Sequence, residues 1–164
     1  MVGDSDSKPR VTMVLRLYSG LAPSIATGHW APFGLPDVYK LLENLSHRRI
    51  PTRVIFLARE EQSEVFPPNP TFDELNIVFE VVPAARLPRW LATVLRSGRV
   101  ARRVARVYND LSQFAKVRRK MGRPRPGDVA YVDRRNIVLG ALLKIRGWPT
   151  VVRFHGVADW YNAR

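Results

Sequence analysis

Short apolar runs separated by stretches of helical spacing constrain this chain more than any other feature. Val11 to Leu17, Arg53 to Ala58, Asn76 to Val82, Asp128 to Val132 and Thr150 to Phe154 are each largely apolar, as strands covered on both faces of a sheet must be. Helix-like segments lie between them. Pro36 and Asp37 suit a first helical turn, and Val38, Leu41, Leu42 and Leu45 follow three or four residues apart. Pro88 opens a long basic helix in which Leu87, Leu91, Val94, Ala101, Val104, Tyr108, Leu111 and Ala115 keep the spacing of a core-facing stripe, with Gly98 as a point of division. Asn136 to Arg146 repeats the pattern, and Gly147 and Pro149 separate it from the last strand. Tyr18 to Phe33 reads as a long loop, and Glu60 to Thr71 as a surface excursion rich in acids and prolines. The resulting order, β-α-β-β-α-β-α-β, predicts an α/β fold with a Rossmann-like, mainly parallel sheet and helices on both faces.

At 164 residues the chain has room for one ordinary domain, assigned to 10–164 after a polar tail at 1–9. It has no cysteine, which excludes a disulfide scaffold, a thiolate zinc site and a cysteine nucleophile. The polar, acid-bearing start lacks the pattern of a secretory signal. The longest apolar-looking stretch, Ile137 to Leu143, falls far short of the ~20 residues that span a bilayer. A cytoplasmic protein is expected, with membrane contact at most peripheral.

Charge is unevenly placed. The chain carries 27 Lys and Arg against 14 Asp and Glu, a net +13. Between Arg86 and Gly127 there are 13 basic residues and one acidic, Asp110, so +12 of the excess lies in this one segment. Three explanations are open: a solvated face, an interfacial helix on anionic lipid, or a phosphate-following nucleic-acid helix. Arg89, Trp90, Arg96, Arg99, Arg102, Arg103 and Arg106 are the candidate lipid contacts, with Leu87, Leu91 and Leu95 supplying apolar insertion. Nucleic acid fits less well, because aromatic stacking residues are sparse there.

In parallel sheets ligands collect outside the carboxyl ends of the strands. Those ends offer Tyr18, Ser19 and Gly20, then Arg59, then Asp133, Arg134 and Arg135, and last His155 and Gly156. Gly20, Gly28 and Gly34 would let a ligand approach the first loop, but the spacing is not Gly-x-Gly-x-x-Gly and no Gly-Lys-Ser/Thr follows. Dinucleotide and P-loop readings both fail. His155 either faces the crevice or holds a loop carbonyl. Asp133 either meets a ligand or caps the next helix. His29 and His47 are expected to be structural. No histidine cluster has metal spacing, and neither a carboxylate pair nor a serine elbow stands out.

Arg10 to Leu17, the glycine-bearing loop, the helix ending at Leu45, Pro51-Thr52-Arg53-Val54-Ile55-Phe56, and above all Gly127-Asp128-Val129-Ala130-Tyr131-Val132 through Gly147-Trp148-Pro149-Thr150-Val151-Val152-Arg153-Phe154-His155-Gly156 form one pattern. It resembles the N-terminal, acceptor-side domain of family-four glycosyltransferases of the GT-B fold. The resemblance covers nearly the whole chain. It implies one lobe of a retaining transferase that moves a sugar from a nucleotide-sugar to a lipid-linked or polysaccharide acceptor, with no metal and no cofactor beyond that donor. It also implies that His155 lies beside the transferred sugar as the catalytic polar group. Tyr18, Ser19, Gly20, Gly34, Asp133, Arg134 and Gly156 would then contact donor or acceptor. The sequence departs from the family by lacking an adjacent glycine pair in the first loop, and by Asp133-Arg134 where histidine or asparagine is frequent. The family's donor site, with its Arg, Lys and two-glutamate motif, belongs to a second domain or partner chain and is not in this sequence. The polypeptide alone is therefore expected not to transfer sugar. The alternative is a non-enzymatic basic α/β module binding nucleic acid or anionic lipid.

Overall fold

A computed structural model of the chain describes residues 10–59, 66–86, 88, 98–133 and 136–153. Among the described residues, five strands and four helices follow in the order β1 (Val11–Arg16), α1 (Ala22–Thr27), α2 (Pro36–His47), β2 (Thr52–Leu57), β3 (Val78–Val82), α3 (Arg99–Met121), β4 (Val129–Asp133), α4 (Ile137–Ile145) and β5 (Thr150–Arg153). The strands form one sheet in the order β3-β2-β1-β4-β5, and every pairing is parallel. The fold is α/β and Rossmann-like, as the pattern of apolar runs predicts.

Alternation of side chains along each strand divides the core into two layers. Met13, Leu15, Val54, Phe56 and Phe79 face α1 and α2, where Ile25, Val38 and Leu42 are buried. Val14, Ile55, Leu57, Ala130 and Val132 face α3 and α4, meeting Phe114, Val117, Leu139 and Leu143. The sheet is therefore covered on both sides, which explains why its strands are apolar at nearly every position.

Three expectations from the sequence need correction. The loop from Tyr18 to Phe33 contains α1, because Pro23 sits in a first helical turn and Gly28, at φ 71°, closes the helix in the left-handed region. The strand expected over Asn76 to Val82 is shorter than that. Phe72, Leu75 and Ile77 are buried, with Phe72 edge-on to Phe79 at 4.9 Å and to Trp30 at 5.2 Å. Strand character then begins only at Val78. The third correction concerns the basic helix. The helix begins at Arg99, directly after Gly98, while 87 and 89–97, with Leu87, Leu91 and Val94 of the expected stripe, lie outside the described residues. Its buried positions, however, are Gln113, Phe114, Val117 and Met121, while Leu111 is 56% exposed. The buried face of the described helix is thus not the one that carries Leu111 and Ala115, and it includes a polar residue, Gln113.

Glu80 is a charged residue buried in β3, and it survives there because it is paired. Arg53 lies 2.5 Å and Lys120 2.8 Å from its carboxylate. Burial by itself would raise this carboxyl, but hydrogen bonds from Lys120 and Arg53 hold it below its ordinary 4.5. A depressed folded value contributes stability above the unfolded pKa that disappears as pH falls through the folded one. Glu80→Gln should cost about 1–3 kcal/mol in urea unfolding at neutral pH. The gap from the parent should narrow steadily below the ordinary 4.5, and a gap independent of pH would contradict the pairing.

Candidate functional site

The connections on either side of β1 run in opposite directions: α1 and α2 carry the chain to β2, whereas α3 carries it across to β4. The order thus reverses between β1 and β4, and the carboxyl ends of these two strands flank the crevice where such sheets take ligands. The local residues are chemically mixed. Tyr18 follows β1, Asp133 ends β4, and Arg153 is the register partner of Asp133 at the end of β5. Asp37, in the first turn of α2, is ion-paired with Arg153. The Arg153 side chain is only 10% exposed, so its charge is held close to the sheet.

Tyr18 is the least satisfied member of this group. Its phenolic oxygen is buried without a hydrogen-bond partner among the described residues. Burial pushes the phenol up to about 12, Tyr39 adds to the rise, and Arg153 opposes it. Tyr18 is therefore neutral at ordinary pH and able both to donate and to accept a hydrogen bond. In an absorbance titration, the difference between the chain and Tyr18→Phe should show one phenolate appearing about two pH units later than a free tyrosine, near 12. A raised folded value means that the stability it represents is complete below the ordinary phenol value of 10 and is lost as pH rises toward 12. A difference midpoint near 10 would show that the phenol is solvated.

On the opposite face of the sheet, α3 is fastened to the same edge. Arg16, the last residue of β1, bonds Asp110 at 2.7 Å. The Gln113 amide donates to the carbonyls of Ala58 at 2.8 Å and Val82 at 3.3 Å, just past β2 and at the end of β3. Asn109 accepts from the Ala85 amide at 2.8 Å. The ends of β1, β2 and β3 are thus tied to three residues in little more than one turn of helix.

Tyr18 and Asp133 lie at the carboxyl ends of the neighbouring strands β1 and β4, with Ser19 exposed beside Tyr18. Gly20 is buried, and its lack of a side chain is used within the loop: a Cβ there would lie 1.8 Å from the Phe33 carbonyl oxygen. The Phe33 amide in turn donates to the Gly20 carbonyl at 3.1 Å. Gly34 is exposed just before α2, and Arg59 is exposed after β2. Arg134, Arg135, His155 and Gly156 lie outside the described residues, as do Arg89, Trp90 and Arg96. Arg99, Arg102, Arg103 and Arg106 are all exposed on α3. His29 has a structural partner, Glu74, 2.5 Å away, and His47 ends α2.

The N-cap position of the helix after β4 is not Asp133. That position belongs to Asn136, which makes no side-chain capping bond. Asn136 is fully buried at the same edge, and neither atom of its amide has a partner among the described residues. Sequence reasoning missed Asn136, Asp37 and Arg153. Arg153 alone left a trace, as a lone cation closing an apolar strand. Among the described residues no group of three His, Asp or Glu side chains converges as a metal site would require, and no helix is long and apolar enough to cross a membrane.

No family model and no curated protein matches the chain. Among solved structures, the C-terminal domain of a hydrogenase from Pyrococcus furiosus is similar at 11% identity, covering 91% of this chain and 93% of that one, with a TM-score of 0.46.

Proposed function

We propose that the chain is the acceptor-side lobe of a retaining glycosyltransferase, which transfers a sugar from a nucleotide-sugar to a lipid-linked or polysaccharide acceptor. One observation carries this reading: Tyr18, Asp133 and Arg153 converge at the reversal point of the sheet, on the strand end that leads into His155. A neutral phenol, a carboxylate and a guanidinium form the mixed donor and acceptor set that sugar hydroxyls require. In the proposed reaction the bond from the anomeric carbon to the donor diphosphate breaks. A bond to an acceptor oxygen forms on the same face, and the hydroxyl proton leaves with the nucleoside diphosphate. His155 would bond the transferred sugar, while a donor-binding second lobe or partner chain supplies the nucleotide contacts. Arg99, Arg102, Arg103 and Arg106, with Val107 57% and Leu111 56% exposed beside them, would hold the lobe against an anionic membrane face.

Kinetics of this lobe assayed together with its donor-binding partner test the reading. His155→Ala should lower kcat about a hundredfold with a much smaller change in the acceptor KM. Asp133→Ala should mainly raise the acceptor KM. Unchanged kinetics in both variants would remove the crevice from the reaction.

A further inference from the structure

The face that α3 turns toward the sheet changes chemistry along its length. Starting from the carboxyl end it presents Met121, Val117, Phe114 and Gln113, all buried, and then Asp110, bonded to Arg16. Continuing at the same alternation of three and four residues, the next positions are Arg106, Arg103 and Arg99. The sheet ends at the level of Asp110 and Gln113, since these residues hold the carboxyl ends of β1, β2 and β3. At 1.5 Å per residue, Arg99 stands about 16 Å beyond Asp110. The inward stripe of the helix therefore becomes purely cationic where it passes the edge, and it overhangs the carboxyl side of the sheet.

Nothing among the described residues neutralises that stripe. Arg99, Arg103 and Arg106 are exposed, no ion pair joins them to an acid, and the first turn of α3 contains no acidic residue. Arg99 and Arg103 stand four apart, and Arg103 and Arg106 three apart, so they repel each other along the helix. Asp110, the only acid in this basic segment, is already committed to Arg16. Below the overhang, Arg16 ends β1, where Asp110 holds it, and Arg59 follows β2.

We infer that the overhanging half of α3 and the carboxyl edge together form a binding site for a ligand bearing two or more linked phosphates. Three guanidiniums within about 10 Å along one helix face match a linked run of phosphates better than a single carboxylate. The planar fork of each arginine can also take two phosphate oxygens at once. The inference uses neither His155 nor sugar chemistry, so it is separate from the transfer reaction proposed above, but it gives Arg99, Arg103 and Arg106 to a phosphate ligand in place of the membrane face.

The test is calorimetric titration of the full chain with inorganic pyrophosphate at fixed ionic strength. The double variant Arg103→Gln and Arg106→Gln should weaken binding at least about tenfold. The matched control, Arg118→Gln with Arg119→Gln, removes the same charge from exposed positions at the far end of the same helix and should change binding less than about twofold. All four residues are exposed, and equal melting temperatures confirm an intact fold. Equal losses in the two double variants would reduce the effect to net charge and overturn the site. So would retention of binding in both, or the absence of pyrophosphate binding. Vesicles of phosphatidylglycerol form a separate arm: binding to vesicles alone, with none to pyrophosphate, also overturns the proposal in favour of a membrane surface.

Discussion

Gly20→Ala is expected to give a chain that does not fold stably, losing about 3 kcal/mol or more. The added carbon would sit 1.8 Å from the Phe33 carbonyl oxygen and 2.8 Å from the Phe33 carbonyl carbon. These are backbone atoms, tied in place by the Phe33 amide bonding the Gly20 carbonyl at 3.1 Å. The conflict cannot be relieved by turning a side chain. Either the loop between β1 and α2 opens or the end of β1 shifts. Gly28→Ala provides the comparison, because the nearest atom to a Cβ there is 3.9 Å away and only the left-handed backbone opposes the change. That substitution should cost about 1 kcal/mol. Urea unfolding distinguishes the two, and equal small losses would mean that the loop packs more loosely than described.

Trp148→Ala should cost about 3–5 kcal/mol by the same measurement. Trp148 is 1% exposed, lies in the layer beneath α3 and α4, and donates from its indole nitrogen to the Gly122 carbonyl at 3.2 Å. It joins the end of α3 to the turn that enters β5, so truncation leaves both a cavity and an unpaired carbonyl. Trp148→Phe keeps most of the apolar volume and loses only the bond and one ring, for about 1–2 kcal/mol. A loss below about 1 kcal/mol for the alanine variant would show that the layer collapses around the gap.

The strands were legible because strands covered on both faces of a sheet are apolar at successive positions and are bounded by turn residues, whereas the equally apolar α4 was recognised by its length and by Gly147 and Pro149 after it. α2 was legible through Pro36, Asp37 and its spaced apolar residues. α1 was not, since six residues framed by Pro23 and Gly28 resemble punctuation more than structure. The stripe of α3 was misread for a different reason. Its inner face includes a buried amide and an ion pair, and burial of Gln113 depends on carbonyls at Ala58 and Val82 that only the folded sheet supplies. The crevice was half legible. Tyr18 and Asp133 could be placed from strand ends alone, whereas the Asp37 and Arg153 pair joins distant parts of the chain that no local pattern connects.

The outer strand β3 has one further property. The Val81 amide, near its end, is taken by the Pro68 carbonyl at 2.7 Å, from the segment that precedes the strand. An incoming strand from another molecule would need that donor to add itself to the sheet. Shortening the residues around Pro68 should therefore show first as self-association during refolding, well before any change at the opposite end of the molecule.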